Sequence, residues 1–392
     1  MSGVDFLEKL LDGAEVEWKP LGEVADYSNT RIDAELVDQA NYIGVDNLLP
    51  NRAGKEDSSY VPTEGRLIEY RVGDVLIGNI RPYLKKIWHA DGDGGTNGDV
   101  LVIKSKHESL HPRYLYQVLT DDKFFAYNMQ HSKGAKMPRG DKGKIMEYLV
   151  PIPCPDNPKK SLEIQAEIVR ILDAFTELTT ELTTELTIRK KQYNHYRDQL
   201  LSFEDGEVEW KALGELAKNL DSKRKPITSG LRESGYIPYY GASGIVDYVK
   251  DYIFDGDYLL VSEDGANLLA RNTPIAFSIS GKNWVNNHAH VLKFETYHER
   301  RFIEFYLNNI DLTPYISGAA QPKLNKKNLE SISVPNPSPE KKKYIVAILD
   351  KFDALTNSIT EGLPREIELR QKQYEHYRDL LLSFPKQESA TA

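Results

Sequence analysis

Apolar residues recur at three- and four-residue steps along two long stretches of this 392-residue chain. The first stretch extends from Ile164 to Leu200, and the second begins near Ile345. This spacing places the apolar side chains on one face of an α-helix. A helix of about 36 residues would extend roughly 54 Å at ~1.5 Å per residue, too far to lie within one small globule. The pattern therefore predicts two long helices that pair with each other.

The two stretches are copies of each other. Arg189–Phe203 and Arg370–Phe384 are identical at twelve of fifteen aligned positions, and IVRILDAF at 168–175 matches IVAILDKF at 345–352. Two unrelated amphipathic core helices are the alternative, which this duplication disfavours. The second copy is four residues longer between its matched ends and contains the tripeptide Gly362–Pro364. Because proline removes a helical hydrogen bond, we expect a kink or break there, or a new helix that starts at the proline.

The segment that follows each helix is duplicated as well. EVEWKPLGE at Glu15–Glu23 recurs as EVEWKALGE at Glu207–Glu215, and Leu7–Gly13 resembles the helix end at Leu200–Gly206. The N-terminus thus behaves as though it continued from a helix like the C-terminal one. This circular arrangement predicts a closed body whose termini lie close together.

Between the repeats lie two blocks that carry alternating strand and turn signals, residues 24–153 and 216–337. Short β-prone runs such as Gly73–Gly78 and its counterpart Gly256–Val261 are separated by glycine, proline and asparagine. Each block ends with a Gly-Ala-x-x-Pro-[Arg/Lys] loop. Nearly identical supports that carry diverged α/β blocks indicate two related ligands, or two halves of one ligand.

Composition narrows the class of protein. No run of about 18 apolar residues is present, so no transmembrane helix is expected, and the acidic N-terminus does not resemble a secretory signal. The single cysteine, Cys154, excludes a disulfide framework, which fits a cytoplasmic protein. The net charge of −9 argues against a general nucleic-acid binder, although charge can be segregated within the chain.

We find no catalytic or metal-binding motif in the sequence. The chain has no G-x-x-x-x-G-K-[ST] phosphate loop, no G-x-G-x-x-G and no H-E-x-x-H. We therefore expect a protein that is not itself an enzyme, with no bound metal and no cofactor of its own.

Clusters of basic residues are more informative. A cationic loop rich in glycine and proline can approach DNA phosphates closely, and here the same loop pattern occurs in both blocks. For any single cluster, a solvated face is the alternative. Two asparagines and a histidine in the second block could read base edges, although asparagine also forms turns. The candidate DNA-binding residues are Arg81, Lys85, Lys86, Lys133, Lys136, Arg139, Lys142, Lys144, Lys223, Arg224, Asn286, Asn287, His288, Lys323, Lys326 and Lys327.

With these motifs together, the chain resembles the DNA-specificity subunit of a type I restriction–modification system. The resemblance covers essentially the whole chain and rests on the V-E-W-K-x-L-G-E openings, the I-L-D-x-F and Q-Y-x-H-Y-R-D-x-L-L-S-F helix segments and the G-A-x-x-P loops. In addition, the unit T-E-L-T occurs three times between Thr176 and Thr187, similar to the short central repeats of one subgroup of that family.

The resemblance implies an α+β fold in which two long antiparallel coiled-coil helices join two α/β target-recognition domains, with an internal pseudo-twofold repeat. Each domain would read one half of a bipartite, asymmetric site on double-stranded DNA. Two modification subunits would bring S-adenosylmethionine and methylate adenine, and restriction subunits would use ATP and Mg. The expected segments are a first target-recognition domain at 1–155, a first spacer helix at 156–205, a second target-recognition domain at 206–337 and a second spacer helix at 338–392.

The repeated helix ends are candidates for docking the two methyltransferase subunits. Matching residues lie on similar faces of the two copies, but packing of helix against helix is an equally good explanation for the tyrosines. The candidate partner-binding residues are Tyr193, Tyr196, Arg197, Tyr374, Tyr377 and Arg378.

Two other functions remain open from the sequence. One is a regulator with two DNA-binding blocks on a coiled coil and no methyltransferase partners, although no helix-turn-helix signal is present. The other is a scaffold that does not bind DNA and whose helices join partner proteins. Co-purification with a methyltransferase and salt-dependent DNA binding would separate these alternatives.

Overall fold

The computed structural model describes residues 3–204, 206–318 and 321–385. The chain divides into two compact units, and each unit combines segments from distant parts of the sequence. Unit 1 comprises Met1–Leu182 and Ile367–Ala392, and unit 2 comprises Thr183–Glu366. Among the described residues, no helix is both long enough and apolar enough to cross a membrane.

Unit 1 is built from two four-stranded sheets and a two-stranded ribbon. The ribbon pairs β1 with β10 antiparallel, and the sheets have the strand orders β2-β9-β6-β7 and β3-β5-β8-β4. The strands are β1 (Val16–Pro20), β2 (Ala25–Tyr27), β3 (Arg31–Asp33), β4 (Tyr42–Ile43), β5 (Arg66–Tyr70), β6 (Val75–Gly78), β7 (Ile87–His89), β8 (Gly94–Thr96), β9 (Val100–Ser105) and β10 (Leu149–Pro153).

The helices of unit 1 cover the first of these sheets. Proline at the first helical position starts the third helix at Pro112, and the Asp121 side chain accepts a hydrogen bond from the Lys123 amide to cap the fourth. The helices are α1 (Gly3–Leu11), α2 (Leu21–Val24), α3 (Pro112–Leu119), α4 (Asp122–Gln130), α5 (Lys142–Met146), the first part of α6 (Pro158–Leu200) and most of α12 (Gly362–Leu381).

Unit 2 repeats the ribbon and one of the sheets. Its ribbon pairs β11 with β20, and its sheets have the orders β12-β19-β16-β17 and β14-β13-β18-β15. The strands are β11 (Glu209–Ala212), β12 (Lys218–Asn219), β13 (Ser234–Gly241), β14 (Gly244–Val249), β15 (Phe254–Asp255), β16 (Tyr258–Ser262), β17 (Ala276–Ile279), β18 (Lys282–Val285), β19 (Ala289–Lys293) and β20 (Ser333–Asn336).

The remaining helices follow the duplicated plan. Thr296 caps the ninth helix, and Ser338 caps the eleventh, which begins with Pro339. They are α7 (Leu213–Leu216), α8 (Asn267–Ala270), α9 (Tyr297–Asn309), α10 (Lys326–Glu330), α11 (Pro339–Thr356) and the start of α12.

The two repeated helices carry the chain between the units. Helix α6 is continuous over 43 residues and passes from unit 1 into unit 2 between Leu182 and Thr183. The chain returns through α11 and α12, so the two copies run in opposite chain sense. The mixed fold with two repeated domains and a long helix agrees with the prediction.

The second copy is broken as expected. Helix α11 ends at Thr356 and α12 begins at Gly362, which has φ +75°. A Cβ at Gly362 would lie 2.2 Å from the Ala354 carbonyl oxygen, so only glycine fits this close turn. The new helix begins at the glycine, two residues before Pro364.

The termini of the described chain meet inside unit 1, as the circular repeat predicts. Leu7 and Leu11 of α1 share one buried cluster with Leu382 and Phe384. The indole Nε1 of Trp18 donates to the Pro385 carbonyl at 3.1 Å.

Candidate nucleic-acid interface

The two G-A-x-x-P loops are closed by the same pair of backbone hydrogen bonds. In unit 1, Lys133 and Arg139 exchange two amide–carbonyl hydrogen bonds of 2.9 and 2.8 Å. In unit 2, Ser317 and Lys323 exchange the same pair at 2.9 and 2.8 Å. We call residues 133–139 the first basic loop and residues 317–323 the second basic loop. The same hydrogen-bond pair therefore closes both loops, and each loop ends in a cation, Arg139 or Lys323.

A glycine makes each loop possible. Gly134 has φ +100° and Gly318 has φ +84°, a region that residues with a Cβ rarely adopt. A Cβ at Gly318 would lie 2.5 Å from the Gln321 carbonyl oxygen, and one at Gly134 would lie 3.1 Å from the Met137 carbonyl oxygen. The glycine of the sequence pattern is therefore a conformational requirement of the loop.

Each basic loop is fastened to the segment that follows a buried strand. After β6, Ile80 forms a β-bridge with Arg139, and the Arg81 amide donates to the Pro138 carbonyl at 2.7 Å. After β16, Asp264 forms the equivalent bridge with Lys323, and the Gly265 amide donates to the Pro322 carbonyl at 3.1 Å. The sheet common to both units therefore positions the basic loops in the same way.

A short helix follows each basic loop and is capped by its own first residues. The Asp141 carboxylate accepts from the Gly143 amide at 3.0 Å at the start of α5. The Asn325 side chain accepts from the Asn328 amide at 3.0 Å at the start of α10. These caps satisfy amides that the first helical turn leaves unpaired.

Several cations around the first basic loop already have acidic partners. The Arg139 guanidinium lies 2.9 Å from the Asp99 carboxylate, and the Lys133 ammonium lies 2.7 Å from Asp141. Lys144 pairs with Glu147 at 2.7 Å one turn along α5. These are surface pairs, which contribute little to stability and can exchange partners at small cost.

Three other predicted cations extend from this part of unit 1 with exposed side chains. Within the described ranges, no ion pair or side-chain hydrogen bond is formed by Arg81, Lys136 or Lys142. Arg81 is held by its backbone in the left-handed region, with φ +54°. These three side chains are the best placed in unit 1 to meet phosphates.

Lys85 and Lys86 are used within the fold of unit 1. The Lys85 ammonium lies 2.6 Å from the Asp122 carboxylate, which Arg52 also contacts, and Lys86 donates to the Val45 carbonyl at 2.7 Å. Partial burial would raise the pKa of Asp122, but the hydrogen bonds from Lys85 and Arg52 lower it to about 2. A DNA contact by these two lysines stays a prediction, and it would compete with these internal bonds.

In unit 2 the predicted cations divide in the same manner. Lys323 lies 3.1 Å from Glu263, and Lys326 lies 3.6 Å from Glu330. Lys223 and Lys327 are exposed. The guanidinium of Arg224, only 13% exposed, donates to Glu263 at 2.6 Å and to the Ala289 carbonyl at 2.8 Å. Arg224 therefore stabilises the fold. A contact between Arg224 and DNA, as predicted, would break these internal hydrogen bonds.

The predicted base-reading segment forms a turn. Asn286 is 7% exposed, and its side-chain oxygen accepts from the His288 amide at 2.8 Å. His288 lies 2.8 Å from Asp264 beside the second basic loop, and Asn287 is exposed. Asn286 thus fits the turn-forming alternative, whereas Asn287 and His288 remain accessible.

Asp221, Glu263 and His290 are close enough together to share a cation. However, Arg224 and Lys323 already contact Glu263, and His290 contacts Asp221 at 2.6 Å. Internal cations therefore occupy the positions that a metal ion would need, and the arrangement is a buried ion-pair cluster.

The candidate partner-binding tyrosines differ in accessibility. Tyr377 stacks on Phe175 in unit 1 with ring centroids 5.2 Å apart, and Tyr196 stacks on Phe352 in unit 2 at 5.6 Å. These two tyrosines are 43% and 44% exposed. Each unit therefore presents one matched aromatic pair on its helices.

The other candidates on these helices are less accessible. Tyr374 packs against the core of unit 1 and donates to the Gln117 side chain at 3.2 Å, and Tyr193 packs against the core of unit 2. Arg378 is 2% exposed and lies 3.6 Å from Asp122, whereas Arg197 is partly exposed and pairs with the adjacent Asp198 at 2.9 Å. Intramolecular packing is thus the better explanation for Tyr374, Tyr193 and Arg378.

Sequence reasoning missed the ion pair that joins each block to its helix. The Arg113 guanidinium of α3 lies 3.0 Å from Asp173 of α6, and Arg301 of α9 lies 2.9 Å from Asp350 of α11. Both partners occur at matching positions of the repeats, so a search for repeated pairs of opposite charge would have found them.

Comparison with known proteins agrees with this arrangement. The family of type I restriction modification DNA specificity domains matches residues 14–189 and 206–369. The chain belongs to this family.

Full-length relatives of the family extend the match. The specificity subunit of the Escherichia coli type I restriction enzyme EcoR124I/EcoR124II is 38% identical over 423 residues, which cover 100% of both chains. The E. coli EcoprrI specificity subunit is 35% identical over 92% of this chain and 93% of its own length. The resemblance stated from the sequence motifs is confirmed.

Solved structures show the same fold. The type I restriction–modification S subunit from M. genitalium has a TM-score of 0.62 at 15% identity and covers 96% of this chain and 98% of its own. A chain from a structure on complex assembly and conformational transition of the type I R-M system has a TM-score of 0.56 at 17% identity over 94% of this chain and 97% of its own. The fold is therefore that of type I specificity subunits.

Proposed function

We propose that this chain is the DNA-recognition subunit of a cytoplasmic type I restriction–modification complex. Each unit would read one half of a bipartite, asymmetric site on double-stranded DNA. The observation that carries the proposal is the duplicated basic loop, fastened to the same sheet in both units by the same β-bridge. Family membership supports DNA recognition, and the assembly of the related complex supports partner subunits.

The contacts with DNA would be divided between phosphates and bases. Arg81, Lys136 and Lys142 would meet phosphates in the first half-site, and Lys223 and Lys327 in the second. Arg139, Lys133, Lys144, Lys323 and Lys326 would join them by exchanging their carboxylate partners for phosphate oxygens. Asn287 and His288 are the candidates for reading base edges.

The partners would include two modification subunits and, through them, the restriction subunits. S-adenosylmethionine, ATP and Mg are expected on those partners. The exposed aromatic pairs formed by Tyr377 on Phe175 and by Tyr196 on Phe352 are matched surfaces on which two identical subunits could dock. Because both tyrosines are exposed, substituting them should weaken assembly without unfolding either unit.

The decisive experiment uses the chain assembled with its modification subunits. Methylation of a random DNA library should reveal a two-part adenine-containing site, and binding should weaken as salt rises. The isolated chain, with its net charge of −9, should bind DNA only weakly. Tight sequence-specific binding by the isolated chain, without methyltransferase partners, would favour a regulator instead.

The docking surface needs its own test. We expect Tyr196→Ala combined with Tyr377→Ala to lower the yield of assembled complex in analytical ultracentrifugation. A matched control is Tyr252→Ala, which removes a comparably exposed tyrosine that lies outside the helices. Unchanged assembly by the double variant would remove these aromatic pairs from the interface.

A further inference from the structure

The second basic loop rests on a buried ion-pair cluster that the first lacks. Five side chains converge there from four segments of unit 2, because Asp221 and Arg224 lie in the same segment. The acids and cations alternate, so each carboxylate contacts at least two positive groups. The cluster consists of Asp221, Arg224, Glu263, His290 and Lys323.

His290 is the central member of the cluster. It lies in β19, and its side chain is fully buried. Its Nε2 lies 2.7 Å from the Leu324 carbonyl oxygen, which can only accept, so Nε2 carries a hydrogen. Its Nδ1 lies 2.6 Å from the Asp221 carboxylate, and an ionised carboxylate can also only accept. The geometry thus fits an imidazolium that donates from both nitrogens.

The surrounding groups keep the carboxylates ionised. Burial would raise the pKa of Asp221, but the hydrogen bond and charge of His290 lower it below its ordinary value. Burial acts in the same way on Glu263, whose pKa is lowered by the hydrogen bond from Arg224, by the charges of His290 and Arg224 and by the hydrogen bond from Lys323. No other charged group lies within ion-pair distance of His290 among the described residues.

The donation from His290 is directed at the end of the second basic loop. Leu324 directly follows Lys323, and its amide donates to the Glu263 carbonyl at 2.8 Å. The Lys323 ammonium lies 3.1 Å from the Glu263 carboxylate. The imidazolium and Glu263 therefore fix both the backbone and the charged end of the loop.

Unit 1 has neutral residues at the positions equivalent to His290 and Glu263. Leu101 of β9 pairs with Ile77 of β6, and His290 of β19 pairs with Val261 of β16. Leu101 therefore occupies the position of His290. The Gly140 amide donates to the Asn79 carbonyl, and the Leu324 amide donates to the Glu263 carbonyl in the same way. Asn79 of unit 1 therefore occupies the position of the acid Glu263 in unit 2. The first basic loop thus has the same backbone support without a titratable histidine beneath it.

We propose that His290 is a positioning residue for DNA recognition, and that the second half-site is read well only while its imidazole is protonated. The inference rests on the proposed function. When His290 loses a proton, one ring nitrogen presents a lone pair to an acceptor, either the Asp221 carboxylate at Nδ1 or the Leu324 carbonyl at Nε2, and that attraction becomes repulsion. Recognition of the second half-site should therefore weaken as pH rises, whereas recognition of the first should not.

The test measures each half-site separately. The chain is assembled with its modification subunits, and methylation is followed on two duplex libraries, each randomised in one half-site, from about pH 6 to about pH 9, a range that includes histidine titration. For the natural chain, discrimination in the second half-site should fall with rising pH. In His290→Gln, which keeps a donor but no charge, it should be independent of pH and at low pH roughly tenfold weaker.

Two further variants keep the test decisive. Asp221→Asn removes the charge that His290 faces and should also abolish the pH dependence, so it serves if His290→Gln does not fold. His298→Gln, a histidine on the first turn of α9, should behave as the natural chain. A natural pH profile in both His290→Gln and Asp221→Asn, or equal changes in both half-sites, would overturn the proposal. Absence of any two-part site in the natural complex would instead overturn the proposed function.

Discussion

Unit 1 and unit 2 agree in the sheet that holds the basic loop and differ in the sheet beside it. The orders β2-β9-β6-β7 and β12-β19-β16-β17 match strand for strand, and every pairing in them is antiparallel. In the second sheets, β3-β5-β8-β4 ends on a parallel pair, whereas β14-β13-β18-β15 has its parallel pair in the middle. Thus one sheet and the helices form a constant support, and the second sheet varies.

The difference indicates how one architecture can read two DNA sequences. The support fixes the position of each basic loop through a β-bridge. This bridge joins Ile80 to Arg139 in unit 1 and Asp264 to Lys323 in unit 2. The varied sheet and the side chains beneath the loops can change without moving that support. The sequence of each half-site should therefore depend on the block that reads it. The spacing between the half-sites and the assembly of the complex should depend on the helices.

The largest expected effect is a change of one entire half-site. Replacing residues 24–153 with the equivalent block of a relative should change the first half-site and leave the second unchanged. The ribbon of β1 with β10 and the Arg113–Asp173 ion pair provide a defined joint for the graft. Methylome sequencing of cells that carry the hybrid and its modification partner measures the result.

The reciprocal exchange of residues 216–337 is the control and should change only the second half-site. If either hybrid altered both half-sites, independent reading by the two units would be wrong.

Removing the arginine that joins block to helix should destabilise unit 2 more than unit 1. Arg301 is 12% exposed and contacts Glu304, Asp350 and Asp353, so Arg301→Ala leaves three carboxylates without their cation. We expect a loss of about 3–5 kcal/mol in the free energy of unfolding. Arg113→Ala leaves only the Asp173 carboxylate without its cation. It should lower the free energy of unfolding by about 1 kcal/mol, because that ion pair is partly exposed. Urea unfolding of each variant tests the ranking.

The pH dependence of this loss provides a further check. Burial raises the pKa of Glu304 despite the opposing effect of Arg301, so this carboxylate gains a proton more readily than an exposed one as pH falls. Protonation removes one of the repelling charges in Arg301→Ala, so the destabilisation should shrink at acidic pH. An equal loss at all pH values, or a larger loss in Arg113→Ala, would contradict the role assigned to the network.

Neutralising a single cation of the first basic loop should have a smaller effect. Lys136→Gln removes an exposed charge and should weaken DNA binding by the complex several-fold, by a similar factor on all sequences. The slope of binding against salt should fall by about one unit, as expected for one lost phosphate contact.

The matched control is Lys159→Gln, an exposed lysine of unit 1 at the start of α6. If Lys136→Gln relaxed specificity at one base position instead, Lys136 would be a base contact. If it behaved as the control does, the loop would not contact DNA in this manner.

Much of this architecture could be predicted because it depends on sequence repeats and on turns formed by neighbouring residues. The duplicated helices, the break at Gly362 and the meeting of the termini follow from segments that are adjacent in sequence or identical between copies. The G-A-x-x-P loops could be predicted for the same reason, since glycine and proline act over a few residues.

What could not be predicted depends on contacts between distant residues. Nothing near Arg378 in the sequence indicates that it is buried beside Asp122, and Arg197, its copy, is partly exposed. The sequence pattern matches Gly78 with Val261, the last residues of two similar runs. In the structure, however, Gly78 pairs with Val100 at the position where Ser262 pairs with Ala289, so the true counterpart of Gly78 lies one residue later. Such differences arise from how each block packs, which identical motifs do not reveal.

The smallest expected effect is a shift of one base pair in the gap between the half-sites. Helix α6 is continuous through the T-E-L-T array, and Leu178, Leu182 and Leu186 are half-buried in it. Each four-residue unit adds about 6 Å of rise and a net turn of about 40° at ~3.6 residues per turn. One base-pair step turns DNA by about 35°, from ~10–10.5 base pairs per turn, and advances it ~3.4 Å. One unit therefore matches one step in rotation and between one and two steps in length.

Deleting Thr180–Thr183 should thus leave both half-sites unchanged and shorten the gap by one base pair, because an inclined helix projects less than its full rise onto the DNA axis. The helix tolerates the deletion because each unit brings its own leucine and the apolar stripe drifts only gradually. Methylome sequencing measures the gap, and Thr180→Ala with Thr183→Ala, which keeps the helix length, should not alter it. An active enzyme with an unchanged gap after the deletion would show that the length of α6 does not set the spacing.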